Sequence, residues 1–178
     1  MRIATYRPGR RRLRGSSLQV ALALWCGIVG LIAPAAKAQA RERVDLELVL
    51  AVDISQSMSP EEHALQRNGY VEAFRHKDVV NAITAGPEGK IAVMYMEWAG
   101  DFEPIPLVTW TILETEAQIK AFAQKLEDAP LWGEQRTSIS RALLTAADYI
   151  ESNDIASHRR VIDVSGDGAN NAGQPVLE

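Results

Sequence analysis

Cysteine is almost missing from this chain: Cys26 is the only one, and it falls within the first forty residues. That excludes a disulfide framework and thiol chemistry from everything that follows. Acidic charge is missing from the same region. Seven of the 19 basic residues and none of the 23 acidic ones lie in positions 1–40, which leaves residues 41–178 with 12 basic against 23 acidic and a net charge of −11. So acidic a surface repels phosphate backbones, which argues against nucleic acid as a partner, and it tolerates divalent cations. There is no Gly-rich phosphate loop, no internal repeat and no low-complexity tract. Ser165, in Val164-Ser165-Gly166-Asp167-Gly168, does not sit in a G-x-S-x-G elbow.

Long apolar runs are also lacking, with one exception at the start. Leu18–Ala33 is uncharged and apolar, shorter than the roughly 20 residues of a spanning helix. Arg2, Arg7, Arg10, Arg11, Arg12 and Arg14 precede it, and Pro34 and Ala35-Ala36-Lys37-Ala38-Gln39-Ala40 follow. A basic start, an apolar centre and an A-x-A ending read as a secretory signal peptide over residues 1–40, cut after Ala38 or Ala40. Arg10-Arg11-Arg12-Leu13 is faintly like a twin-arginine signal. Trp25 before Cys26 does not suit a lipid-attachment cysteine. The expected product is periplasmic or secreted, with no stable membrane span after cleavage and one domain over 41–178.

From residue 44 strands and helices alternate. Val44–Val52 reads as a buried strand, because its second half is continuously apolar. Ser59-Pro60-Glu61-Glu62 carries the signals of a helix start, which predicts a helix to about Arg75. A short helix over 78–84 and a turn at Gly86-Pro87-Glu88-Gly89 lead to a second strand, Ile91–Met96. Leu107–Leu113 reads as a third, edge strand. Thr115 caps a helix with Ile119, Phe122, Ala123 and Leu126 on one face, and Ile139, Ala142, Leu143, Ala146 and Ile150 mark another. Val161–Val164 reads as the fourth strand. The alternation predicts an α/β fold: a doubly wound, mostly parallel open sheet with helices on both faces. His63, His76 and His158 lie apart from the motifs and read as solvated surface residues.

Three segments carry chemistry. Asp53-Ile54-Ser55-Gln56-Ser57 follows the first strand, Thr137 precedes a helix, and Asp167 follows the fourth strand. In a doubly wound sheet ligands bind beyond the carboxyl ends of the strands, where these segments converge. Two carboxylates and three hydroxyls (Asp53, Ser55, Ser57, Thr137, Asp167) form an oxygen-only set that selects a hard cation: Mg²⁺, or Mn²⁺ or Ca²⁺. Two aspartates leave such an ion short of negative charge, so it welcomes a carboxylate from outside. That is a binding device and not a catalytic one.

These residues resemble the von Willebrand factor A domain family, whose metal-ion-dependent adhesion site combines a D-x-S-x-S loop, a Thr and an Asp. The resemblance covers about residues 44–178 and maps onto Asp53, Ser55, Ser57, Thr137 and Asp167. It implies a Rossmann-like A-domain fold in which the hydroxyls touch the ion directly and the aspartates act partly through water. Met96-Glu97-Trp98-Ala99-Gly100 and Val161–Asn171 further resemble a bacterial group of exported A-like proteins of unknown function. Family members often carry Gly-Gly before the Thr, where this chain has Gln135-Arg136. They also have further strands and helices after the fourth strand, so the domain is expected to be incomplete at its C-terminus and marginal in stability. The expected function is an exported, metal-dependent adhesion-type module whose protein ligand, of unknown identity, supplies an acidic residue. The alternatives are a structural domain with an unused site and a phosphatase-like hydrolase with Asp53 as nucleophile. The hydrolase would want an acid two residues on, where this chain has Ser55.

Overall fold

A computed structural model describes residues 40–100, 103–131, 133 and 136–176. The expected leader, apart from Ala40, lies outside the described residues. The elements run β1 (Glu42–Asp53), α1 (Pro60–Arg75), α2 (Lys77–Thr84), β2 (Ile91–Trp98), β3 (Ile105–Leu113), α3 (Glu116–Asp128), α4 (Ile139–Glu151) and β4 (Ile155–Ser165). The four strands form one sheet in the order β3-β2-β1-β4. Both neighbours of β1 are parallel to it, and β3 is antiparallel to β2.

β1 is central, so both of its faces need apolar cover. Leu46, Leu48, Leu50 and Val52 join Val71, Phe74, Phe122 and Leu126 on the face packed by α1, α2 and α3. Val49 and Ala51 point the other way, onto Ala142, Ala146 and Ile150 of α4. β2 splits likewise, with Val93 and Tyr95 on the first face and Met94, Met96 and Trp98 on the second. The Met94-x-Met96 pair is therefore strand packing. The period of two within an unbroken apolar run is what a sheet covered on both faces requires. Edge-to-face ring pairs, Phe74 with Phe122 at 4.8 Å and Tyr70 with Tyr95 at 5.6 Å, tie α1 to α3 and to β2. Each is worth about 0.5–1.5 kcal/mol beyond the area it buries.

Helix starts follow local chemistry. Ser59 accepts from the Glu62 N–H while the Glu62 carboxylate accepts from the Ser59 N–H, a complete capping box ahead of Pro60. Thr115 and Gln118 repeat it for α3. The turn before β2 closes around the Asp45 carboxylate, which accepts from the Glu88 and Lys90 N–H groups. Gly86 is required there, because an added Cβ would lie 2.2 Å from Asp45 Oδ2.

Two expectations need correction. The fourth strand begins six residues before Val161, at Ile155, because Glu42–Glu47 of β1 offers parallel partners to the polar stretch Ile155–Arg160. Among the described residues β4 pairs with β1 alone. His63, in addition, is buried and not a solvated surface residue. The inner stripe of α1 is His63, Arg67, Val71 and Phe74, so half of that buried face is polar.

Candidate metal centre

β1 delivers Asp53 at its carboxyl end, opposite Trp98 of β2. The chain then turns, with the Met58 N–H donating to the Ser55 carbonyl at 3.1 Å. Within that turn the Asp53 carboxylate accepts from the Ser55 N–H at 2.8 Å through Oδ1. The hydroxyls of Ser55 and Ser57 lie 2.8 Å apart, and Ser57 donates to Asp167 Oδ1 at 2.7 Å. Asp167 comes from the segment after β4, and the parallel pairing of β1 with β4 brings it alongside the first loop.

Thr137 is buried and closes the set from the start of α4. Gly168 lies between it and the serines: an added Cβ would stand 3.2 Å from Thr137 Oγ1 and 3.6 Å from Ser57 Oγ. Gly166 has the same role at Asp53, where a Cβ would fall 2.8 Å from Oδ2 and 3.3 Å from the Trp98 ring. All five residues expected from the sequence thus lie about one point beyond the carboxyl ends of β1 and β4.

The electrostatics centre on Asp53. Asp53 Oδ2 is fully buried and has no hydrogen-bond partner. Burial pushes the Asp53 carboxyl above its ordinary value of 3.8; its bonds with Ser55 oppose the rise and the nearby Asp167 charge adds to it. A buried carboxylate oxygen without a donor is costly unless a cation supplies the missing charge. The donor chemistry fits a hard divalent ion. In an octahedral shell with oxygens at ~2.0–2.1 Å, neighbouring oxygens stand about 3 Å apart. The Ser55–Ser57–Asp167 spacings of 2.8 and 2.7 Å are close to that edge. Hydroxyl hydrogens rotate freely, so these oxygens can turn lone pairs inward. Among the described residues no cluster of three or more His, Cys, Asp or Glu side chains is placed to hold a metal. The site is one of hydroxyls with two carboxylates.

Behind it lies a buried polar group that the apolar periodicity of α1 did not reveal. Arg67 forms an ion pair with Glu97 of β2, both side chains being almost fully enclosed. The same guanidinium donates to the carbonyls of Ala129 and Pro130 at 2.7 and 3.0 Å. Burial raises the Glu97 carboxyl, while Arg67 and His63 act to lower it. His63 Nε2 is buried without a partner. The signal available was the spacing itself: His63 and Arg67 stand eight and four residues before Val71 on the stripe that ends at Phe74.

Arg136, just before Thr137, has φ of 65°. Glycine adopts that backbone without a steric cost, whereas a residue with a Cβ does so at a cost; Gln135 lies outside the described residues.

The family model described as "Protein of unknown function (DUF1194)" matches residues 43–178. The chain belongs to this family. None of the curated proteins matches it. Its fold is von Willebrand factor A-like. Proximal thread matrix protein 1 from the mussel byssus, in a structure described with a zinc-occupied MIDAS motif, is 13% identical over 76% of this chain, with a TM-score of 0.55. A second crystal form of that protein gives 14% identity, 76% coverage and a TM-score of 0.54. The vWF domain of the type V pili tip protein Mfa5 from Porphyromonas gingivalis is 20% identical over 71% of this chain, with a TM-score of 0.49. The DUF1194 chain spans 34% of the mussel protein and 39% of the Mfa5 chain.

Proposed function

We propose that this DUF1194 chain is a binding module that holds one divalent cation at Asp53, Ser55, Ser57, Thr137 and Asp167. A carboxylate from a protein ligand completes the ion's shell. The observation that carries the reading is Asp53 Oδ2, fully buried and unpartnered beside a chain of three oxygens at 2.8 and 2.7 Å. Mg²⁺ suits the set best, with Mn²⁺ and Ca²⁺ next. A fold relative described with a zinc-occupied MIDAS motif supports a divalent ion in general.

The charge balance explains why the ligand needs the metal. Residues 41–178 carry −11, and two aspartates face the site, so an acidic partner is repelled until a cation is bound. The hydroxyls bring no charge and leave the bound ion attractive to an outside carboxylate. Export fits the same role, and the 1–40 leader directs it to the periplasm or beyond. No helix among the described residues is long and apolar enough to cross a membrane.

The role is binding and not hydrolysis. Asp53 Oδ1 is tied to the Ser55 N–H, Oδ2 faces Gly166, and the residue two positions on is a serine and not an acid. Calorimetric titration of the purified full chain with Mg²⁺ and Mn²⁺ tests the reading, with Asp53→Ala and Asp167→Ala as controls. One ion per chain in the parent and none in either variant is the expected result. Parent protein that takes up no divalent ion would overturn it.

A further inference from the structure

Thr137 does not hold its own position. The residue before it sits at φ 65°, and the serine after it, Ser138, starts α4 without capping it, its hydroxyl buried and unpartnered. The Ser138 N–H donates to the Ala99 carbonyl at 3.2 Å, and the bonds to Thr137 itself come from the segment after β4. The Thr137 N–H donates to Asn171 Oδ1 at 2.9 Å. Its carbonyl accepts from the Asn171 and Ala172 N–H groups at 3.0 and 3.1 Å. Both backbone polar groups of Thr137 are thus taken up within two residues of chain. One position earlier, Asn170 Oδ1 accepts from the Ile139 N–H at 2.8 Å and caps α4 from outside. The amide orientations are dictated by chemistry, since a backbone N–H has to meet the oxygen of each amide.

Asn171 lies four residues beyond Asp167, on the same continuous segment. Gly168 of that segment fills the gap between Thr137 Oγ1 and Ser57 Oγ. One short stretch therefore carries one site residue, Asp167, and clamps the backbone of another, Thr137, thirty positions away. Pinning the Thr137 backbone at N and O sets where its Oγ1 can stand.

We propose that Asn171 is a positioning residue for the metal centre, holding Thr137 Oγ1 in register with Asp167 without itself touching the ion. This rests on the metal-binding reading above. Outer partners of this kind typically change metal affinity about 10–100-fold when removed.

The test is a double-mutant cycle read as Mn²⁺ affinity by calorimetry on the purified full chain. On the parent background Asn171→Ala should weaken Mn²⁺ binding about tenfold or more. On a Thr137→Ala background, where no hydroxyl remains to be placed, the same substitution should change affinity less than about twofold. Asn171→Asp, which keeps the acceptor oxygen, should bind Mn²⁺ far better than Asn171→Ala. Equal losses on both backgrounds, or parent-like affinity in Asn171→Ala, would overturn the proposal. If Asn171→Ala does not fold, Asn171→Ser takes its place in the cycle under the same criteria. Failure of the parent to bind Mn²⁺ would instead count against the metal site itself, so the two outcomes are separable.

Discussion

Buried carboxylates usually collect donors on both oxygens; Asp53 has one on Oδ1 and none on Oδ2. Because burial raises its carboxyl, the metal-free folded chain takes up a proton where the unfolded chain stays ionised. Metal-free stability should therefore rise as pH falls through the raised value toward the ordinary 3.8, and Asp53→Asn should flatten that dependence. Urea midpoints in chelator over about pH 7 to pH 4 check it. Cation affinity should move the opposite way, falling on acidification as protons compete for the same oxygen. Gly166→Ala pushes a methyl group to 2.8 Å from Asp53 Oδ2 and should cost about tenfold in Mn²⁺ affinity by calorimetry. That Asp53, Ser55, Ser57, Thr137 and Asp167 come together was legible because a D-x-S-x-S loop, a Thr and an Asp each abut an apolar run that marks its element. Asn171 was not, since its role depends on a tertiary contact with Thr137 that no local spacing encodes.

Elements read best where one period dominated. The capping boxes at Ser59 and Thr115, and the two-faced strand β1, follow directly from residue order. β4 runs longer than its apolar stretch predicts, because pairing with β1 outweighs the low strand preference of the polar Ser157, His158, Arg159 and Arg160. On α1 the buried stripe contains His63 and Arg67, so an apolar count misplaces half of it; the Arg67–Glu97 pair and the carbonyls of Ala129 and Pro130 compensate. Gly69 on the same helix has nothing within 4 Å of an added Cβ. Gly69→Ala should thus stabilise the chain by about 0.5–1 kcal/mol through lower backbone entropy in the unfolded state. A thermal melt should rise about 2–4 °C per kcal/mol for a chain of this size. An unchanged or lowered midpoint would mean that the glycine has a role in packing or in the path of α1.

At the scale of the whole molecule, the acidity of residues 41–178 and the metal centre form one argument. On the function proposed above, residues 41–178, at −11, capture a carboxylate only with a cation between the two, and the proposed site for that ion lies at the carboxyl ends of β1 and β4. Export is the second whole-chain expectation. Mass analysis of material recovered from the cell envelope or medium should show a mature N-terminus at Gln39 or Arg41, and an intact Met1 there would count against the leader. The central claim is that a single divalent ion binds where Asp53, Ser55, Ser57, Thr137 and Asp167 meet. Calorimetric titration of the full chain with Mg²⁺, run beside Asp53→Ala and Ser57→Ala, tests it most directly. The account predicts one ion per chain in the parent, weakened binding in Ser57→Ala and none in Asp53→Ala; undiminished uptake by Asp53→Ala would contradict it.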